Sequence, residues 1–266
     1  MTRALGFDAQ LTMEPRVVPA GFELATLSDT GPARTHNEDR CGVHRMGPAS
    51  ALVVVADGVS SYAGGDTASQ MAVDVTLRAY HEQDPAAKSD TRLARAVQQA
   101  NIEIHDLALV VPELRGMATT LTTVAIIDGA LAAAHVGDSR LYLVRGGRAL
   151  QLTKDHRASP TVLTRCVGRE LIAAIDRLSR PLEQGDALVL CTDGLHGVVS
   201  DEDIAACVAA EEDPERACRA LVEAALARDT TDNVTAAVIK IVGPTPLRAP
   251  EPGVGARLRR LLGRSP

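Results

Sequence analysis

The stretch LVVVADG, residues 52–58, joins a β-branched apolar run to an Asp-Gly turn. β-branched residues favour strands, and Asp-Gly is a common signal for a turn at a strand end. Two more apolar runs end in the same way, residues 132–137 before Asp138 and residues 187–192 before Asp193. One turn aspartate is ordinary, but three strands that each end in aspartate would deliver three carboxylates to one edge of the fold.

Two further acidic segments extend this pattern. Asn37-Glu38-Asp39 follows Arg34, and Asp232-Asn233 opens the last apolar run, residues 234–242. Carboxylates that crowd together raise each other's pKa unless a cation neutralises them, and hard divalent cations such as Mg²⁺ or Mn²⁺ prefer oxygen ligands. Convergence of these five separated acidic positions would therefore create a metal site.

Composition and charge restrict the class of protein. The 266 residues, 45% hydrophobic and 23% charged, suit one large soluble domain or two small ones. The net charge of −6 argues against nonspecific nucleic-acid binding, which needs clustered Lys and Arg. No apolar run approaches the roughly 20 residues that span a bilayer, and the N-terminus lacks the apolar segment of a secretory signal. We expect a cytoplasmic monomer with no transmembrane segment.

The five cysteines are widely spaced and include no C-x-x-C pair, which predicts free thiols in a reducing compartment. Cys166 is followed by Val167-Gly168-Arg169 and does not start the C-x-x-x-x-x-R loop of cysteine phosphatases. The sequence therefore offers no cysteine nucleophile.

Hydrophobic periodicity predicts alternating groups of strands and paired helices. Strands are expected at 22–28, 52–56, 119–127, 131–136, 140–145, 187–192 and 234–242, with 119–145 forming an antiparallel meander that 187–192 extends. Helices are expected at 66–80 and 89–109, from a capping box at Ser200 through about 210, and after Pro214. This order predicts an α+β fold of antiparallel sheets covered by helices on their outer faces.

The chain divides into a leader (1–21), one domain (22–242) and a Pro/Gly linker with a short basic tail (243–266). The tail, in which Arg257, Arg259 and Arg260 alternate with leucines, fits a solubilising extension. It also fits a basic amphipathic element for a membrane surface or an acidic partner.

Six segments occur together in a fixed order and resemble the motif set of one enzyme family. They are RTHNED (34–39), DG (57–58), GMATT (116–120), GDSR (137–140), DGL (193–195) and DNVT (232–235). The set resembles that of the metal-dependent PPM protein serine/threonine phosphatases of bacterial type, the protein phosphatase 2C family. The resemblance implies a β-sandwich of two antiparallel sheets flanked by helical layers, with two Mg²⁺ or Mn²⁺ ions at one end. It implies hydrolysis of phosphoserine and phosphothreonine on proteins, opposing a bacterial Ser/Thr kinase.

The resemblance also implies metal ligands. Asp57 would bridge the two ions, the Gly58 carbonyl would bind one of them, and Asp193 and Asp232 would complete the other. Asp138, with Asp193, resembles the pair that can hold a third, weaker ion in bacterial members.

The remaining family positions imply catalytic roles. Glu38 and Asp39 would act largely through metal-bound waters. Arg34 would grip the phosphate oxygens, for which a planar bidentate cation is well shaped.

Two departures from the family pattern affect the expected chemistry. The bacterial motif D-G-M-G-G-H is altered, because Gly58 is followed by Val-Ser-Ser-Tyr62. A metal-bound water or His36 would have to replace the missing histidine as the acid, although His36 also fits a solvated or structural side chain. The six residues between His156 and Leu163 leave no room for the usual flap. We therefore expect a flap reduced to a turn, an open cleft and lower intrinsic selectivity.

Two alternatives remain at this point. A phosphatase of an anti-sigma-factor antagonist generally lacks the R-x-x-N-E-D motif, which is present here. A pseudophosphatase that only binds phosphoprotein would be favoured by loss of Asp57, Asp193 or Asp232, and all three are retained.

Overall fold

Two five-stranded antiparallel sheets stack face to face in the computed structural model, which describes residues 21–59, 63–127 and 129–243. The strands are β1 (Phe22–Asp29), β2 (Asp39–Gly47), β3 (Ser50–Asp57), β4 (Leu121–Ile127), β5 (Ala130–Val136), β6 (Arg140–Arg145), β7 (Arg148–Gln151), β8 (Arg157–Ser159), β9 (Val162–Leu163), β10 (Asp176–Pro181), β11 (Ala187–Cys191) and β12 (Val234–Ile241). The helices are α1 (Gly65–His81), α2 (Ser89–Val110), α3 (Asp193–His196), α4 (Asp201–Ala210) and α5 (Pro214–Leu226), and a 3₁₀ turn covers Pro112–Leu114. The predicted α+β sandwich is confirmed.

One sheet has the strand order β1-β12-β11-β6-β7 and the other the order β10-β5-β4-β3-β2. Strand β3 is buried on both faces, because Val53 and Val55 pack between the sheets while Leu52 and Val54 pack against helices. Burial on both faces explains why this strand reads as a continuous apolar run without alternation.

Helices cover the outer face of each sheet. α1 and α2 lie on β3, β4 and β5, and α4 and α5 lie over the sheet that contains β11 and β12. The predicted capping box is present, since the Ser200 hydroxyl accepts a hydrogen bond from the Asp203 amide, and Pro214 opens α5. No helix among the described residues is long and apolar enough to cross a membrane.

The predicted meander is wrong in its pairing. β4 and β5 form a hairpin in one sheet, whereas β6 lies in the other sheet between β7 and β11, and β11 extends that second sheet. The chain crosses between the sheets at residues 137–139. Because β4, β5, β6 and β11 are almost entirely buried, their sequences carry no signal for which sheet each joins.

Strand β2 was not predicted. Its sequence DRCGVHRMG is polar, contains glycine and shows no sustained apolar alternation. The strand lies at an edge and pairs only with β3, and none of its residues after Asp39 is fully buried, so it needs no apolar alternation.

The shortened flap region forms a hairpin of β8 and β9 rather than a simple turn. His135 is buried in β5, and its Nδ1 lies 2.9 Å from the Thr122 hydroxyl. The leader up to residue 20, Tyr62, and the basic tail from residue 244 fall outside the described residues.

Candidate active site

Four aspartates from separate parts of the sequence line one cleft of about 230 Å³. Asp57 ends β3, Asp138 lies between β5 and β6, Asp193 follows β11, and Asp232 precedes β12. The other lining residues are Arg34, Gly58, Val59, Thr120, Pro160, Thr161, Val162 and Leu163. Both sheets thus deliver carboxylates to the same end of the sandwich, as the opening pattern predicted.

Burial and mutual repulsion perturb these carboxyl groups. Burial, together with the charges of Asp39, Asp193, Asp138 and Asp232, holds the pKa of Asp57 well above its usual range. Burial, with the charge of Asp193, raises the pKa of Asp138 to about 6. Burial and the charge of Asp232 likewise raise the pKa of Asp193. The cluster needs either protons or cations to offset its charge.

The donor set fits hard divalent cations. It consists of carboxylate oxygens and the Gly58 carbonyl, with no thiolate or imidazole in the cleft wall among the described residues. In the described part of the chain, no three His, Cys, Asp or Glu side chains are grouped so that they could hold one ion directly. Such a site suits ions that keep several waters in their coordination shell, as Mg²⁺ does.

Asp39 lies beneath the cleft and is not part of its wall. Its Oδ2 accepts hydrogen bonds from the hydroxyls of Thr192 (2.8 Å) and Thr235 (2.7 Å), which belong to the opposite sheet. Burial raises the pKa of Asp39 to about 7, although these two hydrogen bonds oppose the shift. The structure therefore places Asp39 as a link between the two sheets, directly opposite Asp57 in the β2–β3 pairing.

Glu38 also lies outside the cleft wall and packs where α1 begins. A side chain on Gly65 would come within about 3 Å of the Glu38 carboxylate. The Glu38 carbonyl accepts hydrogen bonds from the Gly58 amide (3.2 Å) and the Ser69 hydroxyl. A Cβ on Gly58 would collide with the Gly65 carbonyl, so only glycine allows these two backbones to approach so closely.

Arg34 reaches the cleft and forms an ion pair with Asp232, with Nη2 at 2.8 Å from Oδ2. The two side chains are 36% and 35% exposed, so the pair is partly screened by solvent. The structure thus joins the predicted phosphate-binding arginine to a predicted metal ligand 198 positions away in sequence.

Asn233 has a structural role that sequence reasoning missed. Its Oδ1 accepts a hydrogen bond from the Glu38 amide, and its Nδ2 donates to the carbonyls of Thr30 and His36. These three bonds fasten the loop that carries Arg34 and Glu38 to the start of β12. The sequence signal for this role was an asparagine next to a predicted ligand. Its side-chain amide can both accept a hydrogen bond from a backbone N–H and donate to backbone carbonyls.

No histidine is among the described residues that line the cleft, and His36 is exposed. His196 was not predicted as a site residue. Its Nε2 lies 3.0 Å from the Asp138 carbonyl, to which it donates, and burial lowers the pKa of His196 to about 4, so it is neutral at pH 7.

The perturbed carboxyls predict an unusual pH dependence for the metal-free protein. The pKa of Asp39 (about 7) and that of Asp57 lie above the ordinary 3.8, so the folded state binds more protons than the unfolded state. Their stabilising effect is complete below pH 3.8 and is lost as the pH rises through the folded-state values. Burial lowers the folded-state pKa of two histidines, His135 and His196, to about 4. Between about pH 4 and 6.5 these histidines therefore make the free energy of unfolding rise with pH.

Above pH 6.5 the carboxyl groups therefore determine how the free energy of unfolding changes with pH. We expect the free energy of unfolding in chelator to fall between pH 6.5 and 8, with a slope near 1.4 kcal/mol per pH unit for each protonated carboxyl. Urea unfolding at several pH values measures this slope. Asp57→Asn removes one titrating carboxyl group and should therefore flatten the slope. Stability that rises over this range would contradict the proton linkage.

Comparison with known proteins agrees with this geometry. Residues 33–229 match the family model Protein phosphatase 2C. The Serine/threonine protein phosphatase PstP of Mycobacterium tuberculosis is 32% identical over 238 residues, which cover 82% of this chain and 45% of the relative. The Serine/threonine phosphatase stp of Listeria innocua is 32% identical over 199 residues, covering 66% of this chain and 79% of the relative.

The solved catalytic domain of a PstP phosphatase in complex with two manganese ions has the same fold. It is 31% identical with a TM-score of 0.73, and the match covers 84% of this chain and 99% of that chain. This chain spans less than half of the mycobacterial relative's full length. Since the family model covers most of the sequence and the acidic cleft lies where its motifs converge, the chain belongs to the protein phosphatase 2C family.

Proposed function

We propose that this chain hydrolyses phosphoserine and phosphothreonine on proteins in the acidic cleft, with the help of two divalent cations. The observation that carries the proposal is the convergence of Asp57, Asp138, Asp193 and Asp232 in one cleft together with Arg34. A phosphate dianion needs positive charge around it, and this carboxylate set can recruit that charge as metal.

Asp57 would bridge two ions, the Gly58 carbonyl would bind one of them, and Asp193 and Asp232 would bind the other. Asp138, together with Asp193, would form a third and weaker position for an ion. When bound, Mn²⁺ or Mg²⁺ would supply Lewis-acid activation of water and offset the charge of the phosphoryl group. The raised pKa of Asp57 supports this assignment, because a group that is costly to ionise alone is stabilised by a cation.

Arg34 would bind and orient the phosphate. Its guanidinium contacts Asp232 through Nη2 and is about a third exposed, so the planar group keeps further donors for phosphate oxygens. Asn233 would act as a positioning residue, because it fastens the loop that carries Arg34.

Glu38 and Asp39 would act at a distance from the phosphate. Glu38 would interact through water at the edge of the cleft. Asp39 would hold β2 and the Asp57 strand end against the opposite sheet through Thr192 and Thr235. This separation from the cleft wall supports indirect roles for both residues.

We further propose cytoplasmic phosphoproteins as substrates, a Ser/Thr kinase as the opposing enzyme, and a monomeric state for the chain. Five free cysteines, three of them buried, support a reducing compartment. The apolar residues Pro160, Val162 and Leu163 in the cleft wall would contact the peptide next to the phosphorylated residue. A hairpin this small offers little surface for sequence selection, which supports low intrinsic selectivity.

The proposal is tested by hydrolysis of p-nitrophenyl phosphate and of matched phosphoserine, phosphothreonine and phosphotyrosine peptides. We expect activity with Mn²⁺ or Mg²⁺, none in excess chelator, and preference for the phosphoserine and phosphothreonine peptides. Bound metal without hydrolysis above background would defeat the enzymatic proposal. Equal or faster release from phosphotyrosine would defeat the substrate class.

A further inference from the structure

Arg157 brings a positive charge to the acidic cleft from the β8–β9 hairpin. Its Nη1 lies 3.9 Å from Asp138 Oδ2, and its Nη2 lies 3.1 Å from Asp155 Oδ2. The Arg157 side chain is 30% exposed, while those of Asp138 and Asp155 are 7% and 14% exposed. The guanidinium is thus held between two carboxylates that are largely shielded from solvent.

Asp155 does not require Arg157 for its own neutralisation. Arg140 already binds it with two parallel hydrogen bonds, from Nε to Oδ1 (2.9 Å) and from Nη2 to Oδ2 (2.8 Å), and Gln151 donates a third to Oδ1. A bidentate arginine pair of this kind balances one carboxylate charge. Asp155 therefore anchors Arg157, and the charge of Arg157 remains to balance Asp138.

Asp138 has no other basic side chain in ion-pair contact within the described part of the chain. A divalent cation bound by Asp138 and Asp193 would have to approach the same carboxylate that faces Arg157. Like charges a few ångströms apart repel strongly where water is partly excluded. The arginine and a third ion are therefore competitors for one carboxylate.

We infer that Arg157 supplies the positive charge that a third divalent cation would otherwise bring to Asp138, and that it thereby weakens binding of that cation. The inference rests on the proposed two-ion site and concerns how many ions the cleft holds. Because Arg157 is partly exposed and screened, we expect its removal to tighten binding of the third ion about tenfold.

The experiment counts Mn²⁺ ions per chain by equilibrium dialysis and elemental analysis over a range of free Mn²⁺. It compares the wild-type chain with Arg157→Ala and Arg157→Gln, the second of which keeps most of the side-chain volume. Arg78→Ala is the matched control, because it also removes one positive charge but breaks an ion pair with Glu103 between α1 and α2. Circular dichroism verifies the fold of each variant.

We expect both Arg157 variants to bind three ions at a free Mn²⁺ concentration at which the wild type and Arg78→Ala bind two. Adding Asp138→Asn to Arg157→Gln should return the count to two. An unchanged third binding step in the folded Arg157 variants would overturn the inference, and so would equal tightening in Arg78→Ala. A wild-type chain that fails to bind two ions would instead refute the proposed function, before any variant is compared.

Discussion

Replacing Asp193 with asparagine is expected to lower metal-dependent phosphatase activity by about three orders of magnitude. Removal of one key charge-stabilising group from other enzymes has an effect of this size or somewhat smaller. Asp193 belongs to the cleft wall together with Asp57. Asparagine keeps the shape of the side chain but removes the negative charge that attracts a cation. Turnover of p-nitrophenyl phosphate and Mn²⁺ titration by calorimetry measure the effect.

The same substitution should leave the metal-free fold intact or stabilise it. Burial and the charge of Asp232 raise the pKa of Asp193, so a neutral group there relieves repulsion. Added Mn²⁺ should raise the melting temperature of the wild type and much less that of Asp193→Asn. Near-wild-type activity and an undiminished Mn²⁺ response in the variant would show that the ligand assignment is wrong.

Replacing Gly194 with alanine is expected to destabilise the protein by about 3 kcal/mol, as overpacking against rigid surroundings does. A Cβ at this position would overlap the Asn233 carbonyl and approach the Asp232 side chain. Backbone atoms cannot swing aside as a flexible side chain can, so the start of α3 or of β12 would have to move. Urea unfolding measures the loss, and activity should fall with it because Asp193 and Asp232 flank the clash.

Gly47→Ala is the matched control for Gly194→Ala. A Cβ on Gly47 would have no neighbouring atom within 4 Å. We expect this control to change the free energy of unfolding by less than about 1 kcal/mol. If the two variants unfold at the same urea concentration, close backbone approach at Gly194 is not what requires glycine there.

Local sequence signals predicted most of the regular elements. Helix α1 was expected at 66–80 and is found at Gly65–His81, and the last strand was expected at 234–242 and is found at Val234–Ile241. These segments carry either a strong helical stripe or a continuous buried run. Strand β2 escaped prediction because an exposed edge position demands no apolar pattern.

Pairing between strands could not be predicted in the same way. The strands β5 and β6 are only three residues apart, yet they belong to different sheets. Both are buried on their two faces, so their composition does not distinguish the alternatives. The choice depends on how all the strands pack together, which no short window of sequence contains.

The sequence by itself determined the acidic positions and their order, because apolar runs that end in aspartate direct carboxylates to strand ends. Only the tertiary structure decided which carboxylates share the cleft and which support it. Asp39 accepts hydrogen bonds from Thr192 and Thr235 of the opposite sheet. Arg34 forms an ion pair with Asp232, and Arg157 lies next to Asp138. Most of these contacts join residues far apart in the chain, and all depend on burial and charge in three dimensions, which local periodicity does not encode.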